Sequence, residues 1–238
     1  TQGDGGQATI GGGKQGADES IANADAAYMG PDAQILADAG TIGTGGEVIL
    51  WSEDVTRFFG SISAKGGTQS GDGGFIETSS RNQLEATGSA SASATNGAPG
   101  EWLIDPDNIE ITNTSNLNIT GPPDYTSTGD SATILNSTIE SELNDGTNIT
   151  ITTADNGMVN EDGNITVNTF ISKTSGPSAS LELKAINSII FNNGAVIEST
   201  NNALNVSMIA DIDGDGAGGI EMQSNTLIDT LGGDVVMQ

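Results

Sequence analysis

The sequence predicts an all-β solenoid of stacked parallel strands, and three observations predict it. The first is composition. In a chain of 238 residues, 25 Ile stand against 12 Leu, beside 34 Gly, many Thr and Asn, and only 6 Lys+Arg. Branched side chains suit a pleated, half-buried strand, Gly, Asn and Asp suit turns, and strong helix formers are scarce. The second is internal repetition. Gly45-Gly46-Glu47-Val48-Ile49-Leu50-Trp51 lies over Gly73-Gly74-Phe75-Ile76-Glu77-Thr78-Ser79 and over Pro99-Gly100-Glu101-Trp102-Leu103-Ile104-Asp105, at spacings of 28 and then 26 to 27 residues. The third is that apolar runs are short, as in Ser188-Ile189-Ile190-Phe191. A unit of this length cannot bury its apolar side alone, so the units must stack. An antiparallel sandwich is the alternative, but its hairpins would not recur at so long and fixed a period.

Taken in order, the earliest unit runs through Tyr28-Met29-Gly30-Pro31 to Ala37. The second half of the next, Phe58-Phe59-Gly60-Ser61-Ile62-Ser63-Ala64, repeats in Leu84-Glu85-Ala86-Thr87-Gly88-Ser89-Ala90-Ser91-Ala92. One coil is therefore a Gly-Gly turn, a strand, a polar connection, a second short strand and another Gly-rich turn. The Gly is expected there because it reaches positive φ without steric cost. At about 4.8 Å per stacked strand, roughly ten coils would build a rod about 45 to 50 Å long. Residues 106–147 break the pattern. Gly121-Pro122-Pro123 marks a loop, and Ser137-Thr138-Ile139-Glu140 has the form of a capping box before a stop at Gly146. This predicts a short helix near 131–145, with Ile134, Leu135, Ile139 and Leu143 near one face. After it, Asn148–Thr152, Asn164–Asn168, Leu181–Ala185, Leu204–Ile209, Ile220–Met222 and Val235–Met237 alternate with period two and read as further coils. The expected organisation is β-helix coils over 1–105, an irregular loop and short helix over 106–147, and further coils over 148–238.

Charge and composition exclude several functions. The chain carries 32 Asp+Glu for a net charge of -26. Its cations, Lys14, Arg57, Lys65, Arg81, Lys173 and Lys184, are scattered, so no basic surface for nucleic acid is expected. With no Cys and no His, zinc sites, thiol chemistry, His-based triads and disulfides are all out of reach. No run approaches the length of a membrane span. The sequence starts at Thr1 without a basic segment leading an apolar one, and so reads as a piece of a longer chain whose targeting signal lies elsewhere.

Ser70-Gly71-Asp72-Gly73-Gly74-Phe75-Ile76-Glu77-Thr78-Ser79, followed at coil distance by Gly97-Ala98-Pro99-Gly100-Glu101-Trp102-Leu103-Ile104-Asp105-Pro106, resembles the filamentous-haemagglutinin-like exoproteins of Gram-negative bacteria. The segments around Leu143-Asn144-Asp145-Gly146, Leu181-Glu182-Leu183-Lys184-Ala185 and Asp229-Thr230-Leu231-Gly232-Gly233 are similar to that family's segment C-terminal to its Trp-Leu-Ile-Asp-Pro stretch. The resemblance implies a right-handed parallel β-helix from a large secreted adhesin, exported by two-partner secretion through a dedicated outer-membrane transporter. The Asn-Pro-Asn-Gly type motif of the family's secretion domain is not found, which places this segment in the body of the exoprotein. The implied roles are attachment to host cells, other bacteria or polysaccharide at the cell surface, cohesion of a biofilm, or the stalk of a contact-dependent toxin.

Candidate sites are few. Asp211-Ile212-Asp213-Gly214-Asp215-Gly216 puts carboxylates at alternate positions before a Gly, the spacing that lets a loop wrap oxygen ligands around Ca²⁺. The twelfth position of such a loop is Met222, with Glu221 one place early, so the match is partial and an acidic loop without metal is the alternative. Trp51 and Trp102 are candidates to stack on a sugar ring if exposed, against the alternative of core packing. Asn113, Asn118, Asn136, Asn148, Asn164 and Asn205 head Asn-X-Ser/Thr triplets that also suit turns. An enzyme of the carbohydrate-active β-helix kind would need a basic partner beside clustered carboxylates. Arg57 and Arg81, about one coil apart, are the available ones, and no Asp pair repeats with them. The expectation is a non-enzymatic module, with a purely structural stalk as alternative.

Overall fold

The computed structural model describes residues 2–114, 132–153 and 162–238. Gly121-Pro122-Pro123 and Asn118 lie outside the described residues. Over those described, the chain winds as a parallel β-helix of about seven turns, with three sides. The first side is an eight-stranded sheet of β1 (Gln7–Ile10), β4 (Glu47–Leu50), β7 (Phe75–Thr78), β10 (Glu101–Ile104), β13 (Asn148–Thr152), β16 (Ala179–Lys184), β19 (Leu204–Ile209) and β22 (Val235–Met237). The second, also eight-stranded, runs β2 (Ala26–Met29), β5 (Val55–Phe58), β8 (Gln83–Ala86), β12 (Ala132–Leu135), β11 (Ile109–Thr112), β14 (Ile165–Val167), β17 (Ile189–Phe191) and β20 (Ile220–Met222). The third side holds β3 (Gln34–Leu36), β6 (Ser61–Ser63) and β9 (Ser89–Ser91), then β15 (Phe170–Lys173), β18 (Val196–Ser199) and β21 (Leu227–Asp229). No helix among the described residues is long and apolar enough to cross a membrane.

The register is the one the repeats give. Glu47 pairs with Phe75 and Phe75 with Glu101, and Ser61 pairs with Ser89. Alternation then sends one face inward. Val48, Ile76, Trp102, Ile149, Leu181 and Val206 stack down the inside of the first sheet, all essentially inaccessible. Trp102 can enter this stack because its indole N–H donates to the buried Thr78 hydroxyl at 2.9 Å. The buried Lys173 is accommodated similarly, its ammonium donating to the carbonyls of Ser175 and Asn201 at 2.7 and 2.8 Å. Burial holds its pKa below that of an ordinary lysine.

The Gly-Gly corners serve close approach rather than positive φ. A Cβ on Gly73 would sit 1.8 Å from the Ala92 carbonyl oxygen, and one on Gly74 would sit 2.1 Å from that of Gly46. Gly74 N–H also donates to Ala64 O at 2.8 Å, tying one turn to the next. Any side chain there would push two turns apart. Positive φ is instead found at the preceding Gly43 and Gly71.

About seven turns replace the ten expected. Asn148–Thr152 and Ile165–Val167, read as separate coils, are successive sides of one turn, because period-two alternation does not say on which side a strand lies.

Residues 109–112 and 132–135 are strands, and the chain order reverses there: β12, which comes later, inserts between β8 and β11. The helix α1 (Asn136–Asp145) is shorter than expected, with Ile134 on the preceding strand and Leu135 at the N-cap without a side-chain cap, so Ser137 does not form the capping box. The stop is as expected, Gly146 standing in the left-handed region at φ 85°. α1 fills the gap on the third side between β9 and β15. A helix about 10 Å across spans two strand spacings of about 4.8 Å. The same turn supplies two strands, β12 and β11, to the second sheet.

Candidate functional site

The first sheet's outer face carries the chemistry. Each inward residue is followed by an outward one, which makes two outer columns. One runs Glu47, Phe75, Glu101, Asn148, Ser180 and Asn205, and the other Ile49, Glu77, Leu103, Thr150, Glu182 and Ser207. Part of this face is covered and the rest is an open groove.

The cover is the connection from β1 to β2. Ala24 N–H donates to Gly11 O, closing the base of a loop that folds back over the sheet. Its short helical turn, Lys14–Gly16, lies on Trp51, so closely that a Cβ on Gly16 would meet the indole at 2.4 Å. Gln15, held at a φ of 52°, donates from its backbone N–H to both Glu77 oxygens at 3.0 and 3.1 Å. Its side-chain amide donates to Asp105 Oδ2 at 2.6 Å. Glu77 is fully buried and Asp105 nearly so. Burial pushes the Glu77 carboxyl up to about 7, against the Gln15 and Ser79 hydrogen bonds, and the Asp105 charge pushes the same way. Burial raises Asp105 as well. Asp105 Oδ1 has no hydrogen-bond partner among the described residues. Lys14 Nζ stands 3.8 Å from the centre of the Phe75 ring, and Asn23 ties the other end of the loop to Glu53 at 2.8 Å. Neither Glu77 nor Gln15 stands out in the sequence. An outward acid on an alternating strand reads as solvated, and nothing local shows that residues 11–24 fold over it.

Beside the covered patch runs a groove of about 880 Å³, lined from Gln7 on the first strand to Val236 on the last. Its walls include Glu47, Phe75, Glu101, Thr150, Glu182 and Asp234. Glu101 accepts from the Thr150 hydroxyl at 2.7 Å, and Glu182 pairs with Lys184 at 2.6 Å. The lining offers carboxylates, amides, hydroxyls and one aromatic face.

The expected sites separate. Trp51 is 3% exposed and Trp102 is 0% exposed, so neither offers a face to a sugar, and Phe75 is the aromatic that borders the groove. The indole of Trp51 is sheltered by Gly12, Gly16 and the Arg81 guanidinium instead. Asp211, Asp213 and Asp215 do converge, each with a carboxylate oxygen within 4.8 Å of the others. Those oxygens also receive backbone N–H groups of the same loop: Gly216 on Asp211, Asp215 on Asp213 and Ala217 on Asp215. Arg57 and Arg81 are not stacked. Arg57 pairs with Glu85 at 2.7 Å and Arg81 with Glu53 at 3.1 Å, each across one turn. Asn148, Asn164 and Asn205 accept the backbone N–H of Ser180, Ser188 and Asp234 in the next turn, a structural use of the side chain.

Comparison of the sequence with protein-family models gives no match, and comparison with curated proteins gives none.

Proposed function

We propose that this chain is a section of a large secreted surface adhesin of the filamentous-haemagglutinin-like type, standing outside a Gram-negative cell. In this reading it is exported through a dedicated outer-membrane transporter and presents the outer face of its first sheet to host cells, other bacteria or polysaccharide. The observation that carries the reading is the open groove extending along all eight strands of one side of a solenoid. Stacked turns make a stiff, extended support, and a continuous face along it can hold an extended ligand. The net charge of -26 keeps such a rod soluble and discourages association of its sides. A chain without Cys also suits passage through an oxidising periplasm.

The module does no chemistry of its own in this account. Its two buried acids are closed off by Gln15, and its arginines are engaged in ion pairs away from the groove. A purely structural stalk is the competing reading, favoured by the evenness of the paired turns. Ca²⁺ on Asp211, Asp213 and Asp215 would brace the loop between the first and second sheets. If so, a chelator lowers the melting temperature of the purified chain and has no effect on Asp213→Ala; identical melts with and without chelator would remove the metal from the account.

The deciding experiment is binding of the purified chain to a panel of glycans and host cells in calcium-containing buffer. Saturable binding to a defined sugar or cell type supports the adhesin. Silence across the panel at high concentration supports the stalk.

A further inference from the structure

The groove's acids follow the strand count. Numbering the strands of the first sheet from β1, the groove carboxylates Glu47, Glu101 and Glu182 stand on the second, fourth and sixth, and Asp234 immediately precedes the eighth. Between them the odd strands present Gln7, Phe75, Asn148 and Thr150, and Asn205 and Ser207, all neutral. Two strand spacings are about 10 Å. In the column that runs through Glu47, Phe75, Glu101, Asn148, Ser180, Asn205 and Asp234, carboxylates therefore stand about 10 Å apart at Glu47 and Glu101 and return at Asp234 four strands on, with an aromatic ring, amides and a hydroxyl between, while Glu182 lies two residues along its strand in the neighbouring column. An extended β-1,4-linked hexosamine chain advances by the same length per disaccharide, and its sugars alternate in the direction they face, so one substituent of each disaccharide meets the same wall.

The wall is built for cations. Glu47, Glu101 and Asp234 form no ion pair among the described residues, and Glu182 already holds an ammonium, that of Lys184. Phe75 already accepts another, that of Lys14. The chain thus shows with its own lysines how an amine sits on this face. An anionic polymer would meet repulsion along the whole groove. A peptide adding as a strand has no edge to join here, since the groove crosses strands that are already paired.

We propose that the outer groove of the first sheet binds a linear polysaccharide carrying free amino groups, a de-N-acetylated β-1,4-glucosamine chain, with its ammonium groups set against the column of Glu47, Glu101 and Asp234. The proposal rests on the adhesin reading and names the ligand class of its binding face. Glu47 and Glu101 pair with successive ammonium groups, Phe75 packs on the sugar between them, and the Asn and Ser side chains further along bond the ring hydroxyls.

The test is calorimetric titration of the purified chain, in mildly acidic buffer, with a glucosamine hexamer, its fully N-acetylated counterpart and hexalysine. The glucosamine hexamer is expected to bind saturably and to weaken with salt, with the acetylated hexamer and hexalysine each at least about tenfold weaker, the scale of one charge-assisted contact. Glu47→Gln and Glu101→Gln each weaken binding by several-fold, while Glu221→Gln on the second sheet leaves it unchanged. Equal binding of the acetylated hexamer, hexalysine binding as tightly as the sugar, or indifference to Glu101→Gln overturns the assignment. Binding to other sugars or cells without binding to the amine polymer removes this ligand class and leaves the adhesin, whereas no binding to anything removes both.

Discussion

Glu77 concentrates the energetics of the covered patch in one side chain. Its carboxyl titrates near 7 in the folded chain against 4.5 for an ordinary glutamate, because burial disfavours the charged form. A raised acid pKa means that the folded state binds its proton more tightly than the unfolded one. Stability from this group is therefore highest at low pH, declines as pH rises from about 4.5 to about 7, and is lowest above that. The shift corresponds to at most about 3 kcal/mol. Glu77→Gln keeps an acceptor for the Gln15 N–H and removes the buried charge. The variant is expected to melt several degrees higher than the parent above pH 7 and at the same temperature near pH 4.5. Melting curves of the two proteins against pH check this, and parallel curves would contradict it. The sequence shows Glu77 on a strand but conceals its burial, because burial is conferred by a loop some sixty residues earlier. Trp102 is more legible: its place in an alternating strand points it inward, and only its hydrogen bond to Thr78 has to be seen in three dimensions.

At the scale of the element, α1 stands in for strands that are missing from the third side. Its face toward β15 carries Asn136, Glu140 and Asn144, spaced by four so that they align. Asn136 donates to Phe170 O at 2.8 Å, Glu140 accepts Ser172 N–H at 2.9 Å, and Asn144 accepts the N–H groups of Thr174 and Ser175, each at 2.8 Å. Toward β9, Glu142 accepts the Ala90 N–H, Asp145 takes Ser91 and Lys65, and Thr147 accepts the Ala92 N–H. Side chains thus close two strand edges that would otherwise be open to pairing with another chain. Asn144→Ala releases two backbone N–H groups. Hydrogen exchange at Thr174 and Ser175 is expected to accelerate, with the central strands of the first sheet unchanged. Unchanged exchange at those two amides would show that the helix is packed there without serving the edge. The helix and its stop at Gly146 are legible in the sequence, since both are local. The reversed order of β11 and β12 is hidden, because both strands have the same alternation and nothing local says which stacks on β8.

For the whole molecule, the repeats are the most legible feature. A spacing held by glycine corners translates directly into register, and the register places every outer column. What repetition does not state is how many sides each turn has, so single strands of the second half read as whole coils. The groove becomes legible only once the three sides are known: Glu47, Glu101 and Asp234 are far apart in sequence and come into one outer column when the turns are stacked, with Glu182 in the column beside it. In the function proposed above, this column of acids is the binding face of the molecule. Its most direct measurement is attachment of the purified chain to the cell or glycan that retains it, comparing the parent with Glu47→Lys/Glu101→Lys and with the charge-matched Glu198→Lys/Glu221→Lys on the other two sides. The first pair is expected to abolish attachment and the second to leave it intact. Equal attachment by all three proteins would contradict it.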